Sequence, residues 1–189
     1  MNRAQRDLWE EGHRGAVTGE AEPSVIEGLP MLPRGLALDV AAGNGRNSIA
    51  LARAGIRVVA ADFSATAMRS LRQAAEIDRL PIMPVVADLE EGLPFRRSSF
   101  DAVINVSFLD RALIPQLKAA LRAGGVLLFD TFLVDQAQTG HPRDPRFLLQ
   151  HYELREILAD MELIRYREGI VTYGDKCAWR AAALARRRG

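Results

Sequence analysis

Short apolar runs, separated by stretches with helical spacing, recur from residue 36 to about residue 131. That rhythm predicts repeated strand–helix units on a parallel sheet. "LALDV" is the first strand. "NSIALARAG" then carries Ile49, Leu51, Ala52 and Ala54 at helical spacings and stops at Gly55, a residue suited to a helix C-terminus. "IRVVAAD" is the second strand. Ser64 stands where it can cap the next helix, and Met68, Leu71 and Ala75 share one face of it until Pro81. "IMPVVAD" is the third strand, and Pro84, which has no N–H for a ladder bond, predicts that it lies at a sheet edge. "FDAVINVSF" is the fourth strand, "LIPQLKAALRAGG" an amphipathic helix closed by Gly124 and Gly125, and "VLLFDTF" the fifth strand.

The pattern lapses over residues 133–150, "LVDQAQTGHPRDPRFLLQ", which reads as a long loop of the kind that is often functional. Beyond it come a helix around "YELREILAD", a strand around "ELIRYREGIV", a turn at "YGDK" and a strand around "CAWRAAALA". The last two strands are close enough to form an antiparallel hairpin, which brings the expected sheet to seven strands.

The chain has 189 residues, 48% hydrophobic and 26% charged, a soluble globular composition that fits one domain over 1–189. A formal net charge of +1 gives no global electrostatic reason to expect nucleic acid or a membrane as a partner, and such a partner has to be argued from local charge. The expectation is therefore no nucleic acid and no membrane. One cysteine, Cys177, excludes an intrachain disulfide, and "MNRAQRDLWEEGHRG" has no apolar core of the kind a secretory signal needs, so the expected setting is cytoplasmic. No run approaches the ~18 apolar residues of a membrane span. His13, His141 and His151 are scattered without metal-ligand spacing, so no metal is expected. No G-x-S-x-G elbow supports a hydrolase.

In an open parallel sheet, ligands bind beyond the carboxyl ends of the strands, where the strand order reverses. Asp39, Asp62 and Asp88 fall near the ends of strands one, two and three. Gly43 and Gly45 permit a tight turn and a close ligand approach, which a Cβ would narrow. Asp62 follows the glycine turn by roughly 20 residues, the spacing at which a carboxylate can accept both ribose hydroxyls, so a nucleoside ligand is implied. A dinucleotide fingerprint would read G-x-G-x-x-G. This chain has Ser48 in the third glycine position and an additional acid, Asp39, which suits a cationic amine or sulfonium better than a pyrophosphate.

The run "DVAAGNGRNS", followed by "VVAADFS", "VVADLEEGLPF" and "FDAVINVSFLDR", resembles the successive motifs of the class I S-adenosylmethionine-dependent methyltransferases over residues 36–131. "GNGRNSIALA" looks most like the tellurite-resistance type and related small-molecule enzymes. The resemblance implies a Rossmann-like α/β fold, a three-layer αβα sandwich with a seven-stranded, mostly parallel sheet and an antiparallel C-terminal hairpin. It implies S-adenosylmethionine as cofactor, with Asp39, Gly43 and Gly45 holding the methionine portion, Asp62 the ribose and Phe63 the adenine face. Asp88 and Leu89 then meet the adenine edge, and Asn105 and Val106 lie beside the sulfonium. Ala41 stands where the family usually has its first glycine. Residues 1–30 are expected to form a helical lid or cap, with Trp9 either covering the cofactor or anchoring a helix, and residues 133–150 a substrate-side loop.

Methyl transfer from a sulfonium is an in-line displacement that depends chiefly on alignment and exclusion of water, so a general base is optional. Asp110 and His141 are candidates for one because they follow strands four and five. Arg143, in "GHPRDPRF", is the candidate for recognising an anionic small acceptor, and pairing of the loop's arginines with nearby acids is the competing reading. Arg46 and Asn47 are open between a local helix-start role and ligand contact. Packing is expected for Tyr173 and Cys177, and a solvated tail for residues 186–188. Two rival functions stand beside methyl transfer to a small molecule: a nucleoside-binding regulatory module without turnover, and an NAD-dependent oxidoreductase.

Overall fold

A computed structural model describes residues 19–173 and 176–189. After a short helix α1 (Pro23–Gly28), the chain enters β1 (Leu36–Val40), α2 (Arg46–Arg53), β2 (Arg57–Asp62), α3 (Ala65–Ile77), β3 (Ile82–Val86) and β4 (Phe100–Val106). It continues through α4 (Ile114–Ala120), β5 (Leu121–Phe132), α5 (Gln136–Thr139), α6 (Glu153–Ile157), β6 (Glu162–Tyr173) and β7 (Lys176–Arg186). The seven strands form one sheet in the order β3-β2-β1-β4-β5-β7-β6. The first five pair in parallel, and β7 runs antiparallel to both β5 and β6. The chain starts its sheet at β1 and fills it in both directions, so the strand order reverses between β1 and β4.

The periodicities explain the layers. Five of the six residues of β2 are buried, as expected of a strand covered on both faces. Ser64 caps α3, its Oγ accepting from the Ala67 N–H at 3.1 Å. Ala67, Met68, Leu71 and Ala75 are the buried residues of α3. They join Leu51, Val58, Ile104 and Leu128 in the core on one side of the sheet. Leu113, Leu117, Leu154 and Phe129 belong to the core on the other side. Burying a leucine as fully as Leu71, at 0% exposure, stabilises by roughly 1.5–3 kcal/mol. Pro84 does sit in an edge strand, since β3 is the end of the sheet.

Several local expectations are corrected. The helix expected over residues 113–125 stops at Ala120, and the chain is already extended at Leu121, with ψ 144°. The reason lies in the ladder: Leu121 pairs with Phe100, and the register shifts before Val126 meets Ala102. In that bulge a Cβ on Gly125 would stand 3.0 Å from the Arg122 carbonyl oxygen and 3.1 Å from that of Asp101, so the glycine serves the bulge and not a helix end. The stretch 133–150 contains α5 and a 3-10 turn (Pro145–Phe147). Its ends meet in a Leu133–Leu149 bridge, with the Val134 N–H donating to the Leu149 carbonyl at 2.9 Å. Leu148 and Leu149 are buried, which pulls the segment onto the core. Cys177 is exposed and does not pack. Arg187 is half-buried, donating to the Ser98 Oγ and to the Ala119 and Leu121 carbonyls, so residues 186–188 are more than a solvated tail. Trp9, the first part of the expected N-terminal lid, the side chain of Tyr173 and the turn at residues 174–175 lie outside the described residues.

Candidate active site

The site is built from a turn and four strand ends. Asp39 and Val40 of β1 lie between Ala60 and Ala61 of β2 and Ile104 and Asn105 of β4, while Asp62 stands beside Val86 of β3. After β1 the chain folds back on itself: the Ala42 N–H donates to the Ala61 carbonyl at 3.0 Å, and the Gly45 N–H to the Ala42 carbonyl at 2.9 Å. Ala41, Gly43 and Gly45 all have positive φ, at 51°, 53° and 83°. Ala41 therefore adopts the conformation a glycine would take there, at a cost of roughly 1–2 kcal/mol for its Cβ. At Gly45 an added Cβ would come within 2.3 Å of Leu71 Cδ1, so the room this glycine keeps is for α3 and not for a ligand.

Asp62 ties the turn to β2. Its Oδ2 accepts the Gly43 N–H at 2.8 Å and its Oδ1 the Ser64 N–H at 2.9 Å. A carboxylate offers about four lone-pair sites, so two backbone donors leave acceptor capacity on both oxygens. Asp39 is buried, and its Oδ2 accepts the Ser48 hydroxyl at 2.6 Å. Burial pushes its pKa up to about 7; the nearby Asp62 carboxylate adds to the rise, and the Ser48 hydrogen bond and Arg46 oppose it. Near neutral pH the Asp39 carboxyl thus divides between its two protonation states, and a cation placed nearby would favour the ionised one.

The other cofactor candidates reach the same edge. Phe63 is half-buried directly after Asp62. Asp88, also half-buried, accepts the Glu90 N–H at 3.1 Å. Leu89 and Val106 place their side chains in the two cores. Asn105 is buried, and its Nδ2 donates to the Phe108 carbonyl at 2.7 Å, shaping the turn that leaves β4. Backbone is therefore what Leu89 and Val106 offer at the edge.

Beside the turn stands a buried ionic cluster that the sequence reading missed. Arg180 of β7 is 2% exposed; its Nε donates to Asp130 Oδ1 at 2.7 Å and its Nη2 to Ser107 Oγ at 2.9 Å. Its Nη1 lies 3.4 Å from Glu22 Oε1, and its guanidinium stacks 4.4 Å above the Phe132 ring. Glu22 in turn pairs with Arg46 at 2.6 Å, and its N–H donates to Asn47 Oδ1 at 2.9 Å. Arg46 and Asn47 accordingly hold the segment before α1 against the start of α2. The signal was present in outline: "LLFDTF" and "CAWRAAALA" each carry one charge of opposite sign within an apolar strand.

On the acceptor side, Asp110 accepts the Ala112 N–H at 2.9 Å and shapes the turn after β4. His141 is exposed, its carbonyl accepting from Gln136 Nε2. Arg146 is paired with Asp144 at 2.6 Å, so the local-pairing reading holds for that arginine. Arg143 is exposed and donates only to the Gly140 carbonyl at 3.3 Å among the described residues. Arg111 pins the loop to the turn after β4, pairing with Glu153 at 2.6 Å and donating to the Arg146 and Leu148 carbonyls. The bond to Glu153 raises the Arg111 pKa, and although burial opposes it, Arg111 holds that of Glu153 below its usual value. His151, 2.7 Å from Asp135 Oδ2, is an imidazole–carboxylate pair beside the loop that the sequence reading did not single out. Among the described residues no three His, Cys, Asp or Glu side chains stand where they could share a metal ion. No helix among them is long and apolar enough to cross a membrane.

Residues 37–125 match the family described as a methyltransferase domain. The chain is 34% identical over 114 residues to demethylmenaquinone methyltransferase of Renibacterium salmoninarum, covering 57% of this chain and 46% of that protein. It thus spans about half the length of the curated relatives it matches. Its fold is similar to that of TehB from Haemophilus influenzae, with a TM-score of 0.78 at 22% identity over 90% of this chain and 64% of the other. A SAM-dependent methyltransferase from Methanosarcina mazei aligns with a TM-score of 0.71 at 20% identity, over 90% of this chain and 99% of the other.

Proposed function

We propose that the chain is a class I S-adenosylmethionine-dependent methyltransferase and that it transfers the methyl group of S-adenosylmethionine to a small-molecule acceptor in a cytoplasmic setting. The observation that carries this reading is the Asp62 carboxylate, fixed by the Gly43 and Ser64 N–H groups with acceptor capacity to spare at the end of β2. That donor and acceptor set fits a ribose. Asp39, buried beside the turn with a pKa near 7, fits a ligand whose amino-acid end and sulfur carry positive charge.

The cofactor supplies an electrophilic methyl on a positively charged sulfur. The chain's part is to orient and to exclude water. In this reading the turn over Ala41–Gly45 and Asp39 face the methionine portion, Asp62 the ribose, and Phe63, Asp88 and Leu89 the adenine. Asn105 holds the turn at the end of β4, where an acceptor has to approach. A thiolate or carboxylate acceptor needs no general base, whereas a hydroxyl or a protonated amine does. Asp110 and His141 remain the candidates by position, and the His151–Asp135 pair joins them by chemistry.

We further read the acceptor as anionic, because Arg143 presents a guanidinium from the loop after β5 without a paired acid among the described residues. Arg143→Ala should lower kcat/KM for the true acceptor at least ~10-fold, about 1.4 kcal/mol, with cofactor affinity nearly unchanged. A screen of thiols, amines, carboxylic acids and chalcogen oxyanions, read as S-adenosylhomocysteine formation, tests the activity. Turnover with one class supports it. Tight cofactor binding with no turnover across the panel would favour the regulatory nucleoside-binding module instead.

A further inference from the structure

The amino ends of the parallel strands lie opposite the site, and they gather arginine. Arg34 precedes β1, Arg57 opens β2, Arg79 follows α3 on the way to β3, and Arg96 and Arg97 precede β4. Arg188 follows β7, whose Arg186 is paired in register with Val126 of β5 and Glu162 of β6, so it falls at the same end. All six are exposed. The acids at this end are already engaged: Asp78 by Arg53 at 2.8 Å, Asp101 by Arg122 at 2.7 Å, Asp160 by Lys118 at 2.6 Å and Glu162 by Arg186 at 3.0 Å. Glu76, in the last turn of α3, is the exception. None of the six arginines makes an ion pair within 4 Å among the described residues, while Arg57 and Arg188 act at longer range on Asp101 and Asp160.

A chain of net charge +1 with such an excess at one end carries a compensating acidic excess elsewhere. Asp62, Asp88, Glu90 and Asp110 supply part of it at the ligand edge. The even balance of the sequence therefore conceals a separation of charge along the strand direction, and fields of this kind steer and orient a protein on a charged partner.

We propose that this end is a docking face for an anionic lipid surface, holding the protein peripherally with its ligand edge turned away. Two features favour a bilayer over a nucleic acid. The arginines are spread across the sheet from β3 to β7, a width of about 24 Å at ~4.8 Å per strand, and are not gathered into one groove. Among them stands Ile77, 78% exposed, an aliphatic anchor suited to the interface, whereas Phe95, an aromatic of this end, is half-buried in a T-shaped contact with Phe100. Strands of five to seven residues put the site roughly 17–23 Å from the docked end, in water and open to a soluble acceptor.

The test is co-sedimentation of the full chain with phosphatidylcholine vesicles and with vesicles enriched in phosphatidylglycerol, at low and high salt. The expected result is binding to the anionic vesicles alone, at least 10-fold weakened by high salt. Each arginine at the surface contributes about five-fold, so the Arg34→Glu, Arg96→Glu, Arg97→Glu triple variant should lose at least ~100-fold. The same variant should titrate with S-adenosylhomocysteine like the parent, which separates loss of docking from loss of fold or of the cofactor site. Equal binding to both vesicle types, or an unaffected triple variant, overturns the proposal. So does salt-dependent binding of duplex DNA without vesicle binding, which would assign the face to nucleic acid.

Discussion

Removal of the Arg180 side chain would leave two buried carboxylates facing each other across its place. The cost can be apportioned from the contacts. Glu22 would keep Arg46 at 2.6 Å, but Asp130, at 0% exposure, would keep only the long approach of Arg167 at 4.0 Å. Asp130 Oδ2 has no hydrogen-bond partner even with Arg180 in place, so the carboxylate would depend on Arg167 Nη2 moving closer. Breaking one side of a buried pair costs about 3–5 kcal/mol, because the remaining charge is left without compensation. Loss of the stack on Phe132 adds roughly 0.5–2 kcal/mol. Against a total stability of about 5–15 kcal/mol, Arg180→Ala should therefore remove a large share. Urea unfolding near neutral pH measures it. Arg180→Met combined with Asp130→Asn removes both charges at once and should recover at least ~2 kcal/mol relative to the sum of the single variants. A loss below about 1 kcal/mol for Arg180→Ala, or strictly additive single and double variants, would show that these charges are hydrated and that the cluster is not the buried network described above.

Asp39 carries a pH dependence of definite sign. Its folded pKa of about 7 lies above the ordinary 3.8, so its contribution is complete below about pH 4 and is lost as pH rises through 7, on the order of 4 kcal/mol. Asp39→Asn should thus be more stable than the parent at pH 8 and should flatten the fall between pH 4 and 7 in unfolding experiments; an unchanged pH profile contradicts the assignment. Gly45→Ala places a Cβ in a left-handed conformation and against the buried Leu71, and should destabilise by at least ~2 kcal/mol in the same assay, with a neutral effect refuting the tight packing of the turn on α3.

The strands and the acids at their carboxyl ends were legible because they depend on short-range regularities. Apolar runs with period two or continuous burial, Pro84 at the sheet edge, Ser64 as a cap and acids directly after strands are all written within a few consecutive residues. Asp62 and the glycine turn emerged for the same reason. The helix over residues 113–125 was overextended because amphipathic spacing continues past Ala120, while the pairing of Leu121 with Phe100 is a property of the ladder. The Glu22–Arg46–Arg180–Asp130 cluster was hidden more thoroughly. Its members come from the N-terminal segment, α2, β5 and β7, and only the sheet order brings them together. The basic end was hidden by averaging: acids elsewhere in the chain cancel its arginines in the net charge, and only the common direction of the strands reveals that they share one end.

The central claim is that Asp62 and the turn beside it hold the nucleoside of S-adenosylmethionine. Calorimetric titration of the parent and of Asp62→Ala with S-adenosylhomocysteine, with NAD as a comparison ligand, tests it most directly. The parent should bind S-adenosylhomocysteine and not NAD, and a folded Asp62→Ala variant should bind it more weakly by at least ~1.5 kcal/mol, roughly ten-fold, because two ribose hydroxyls lose their charged acceptor. Preference for NAD, or an undiminished affinity for S-adenosylhomocysteine in the folded variant, would contradict the account.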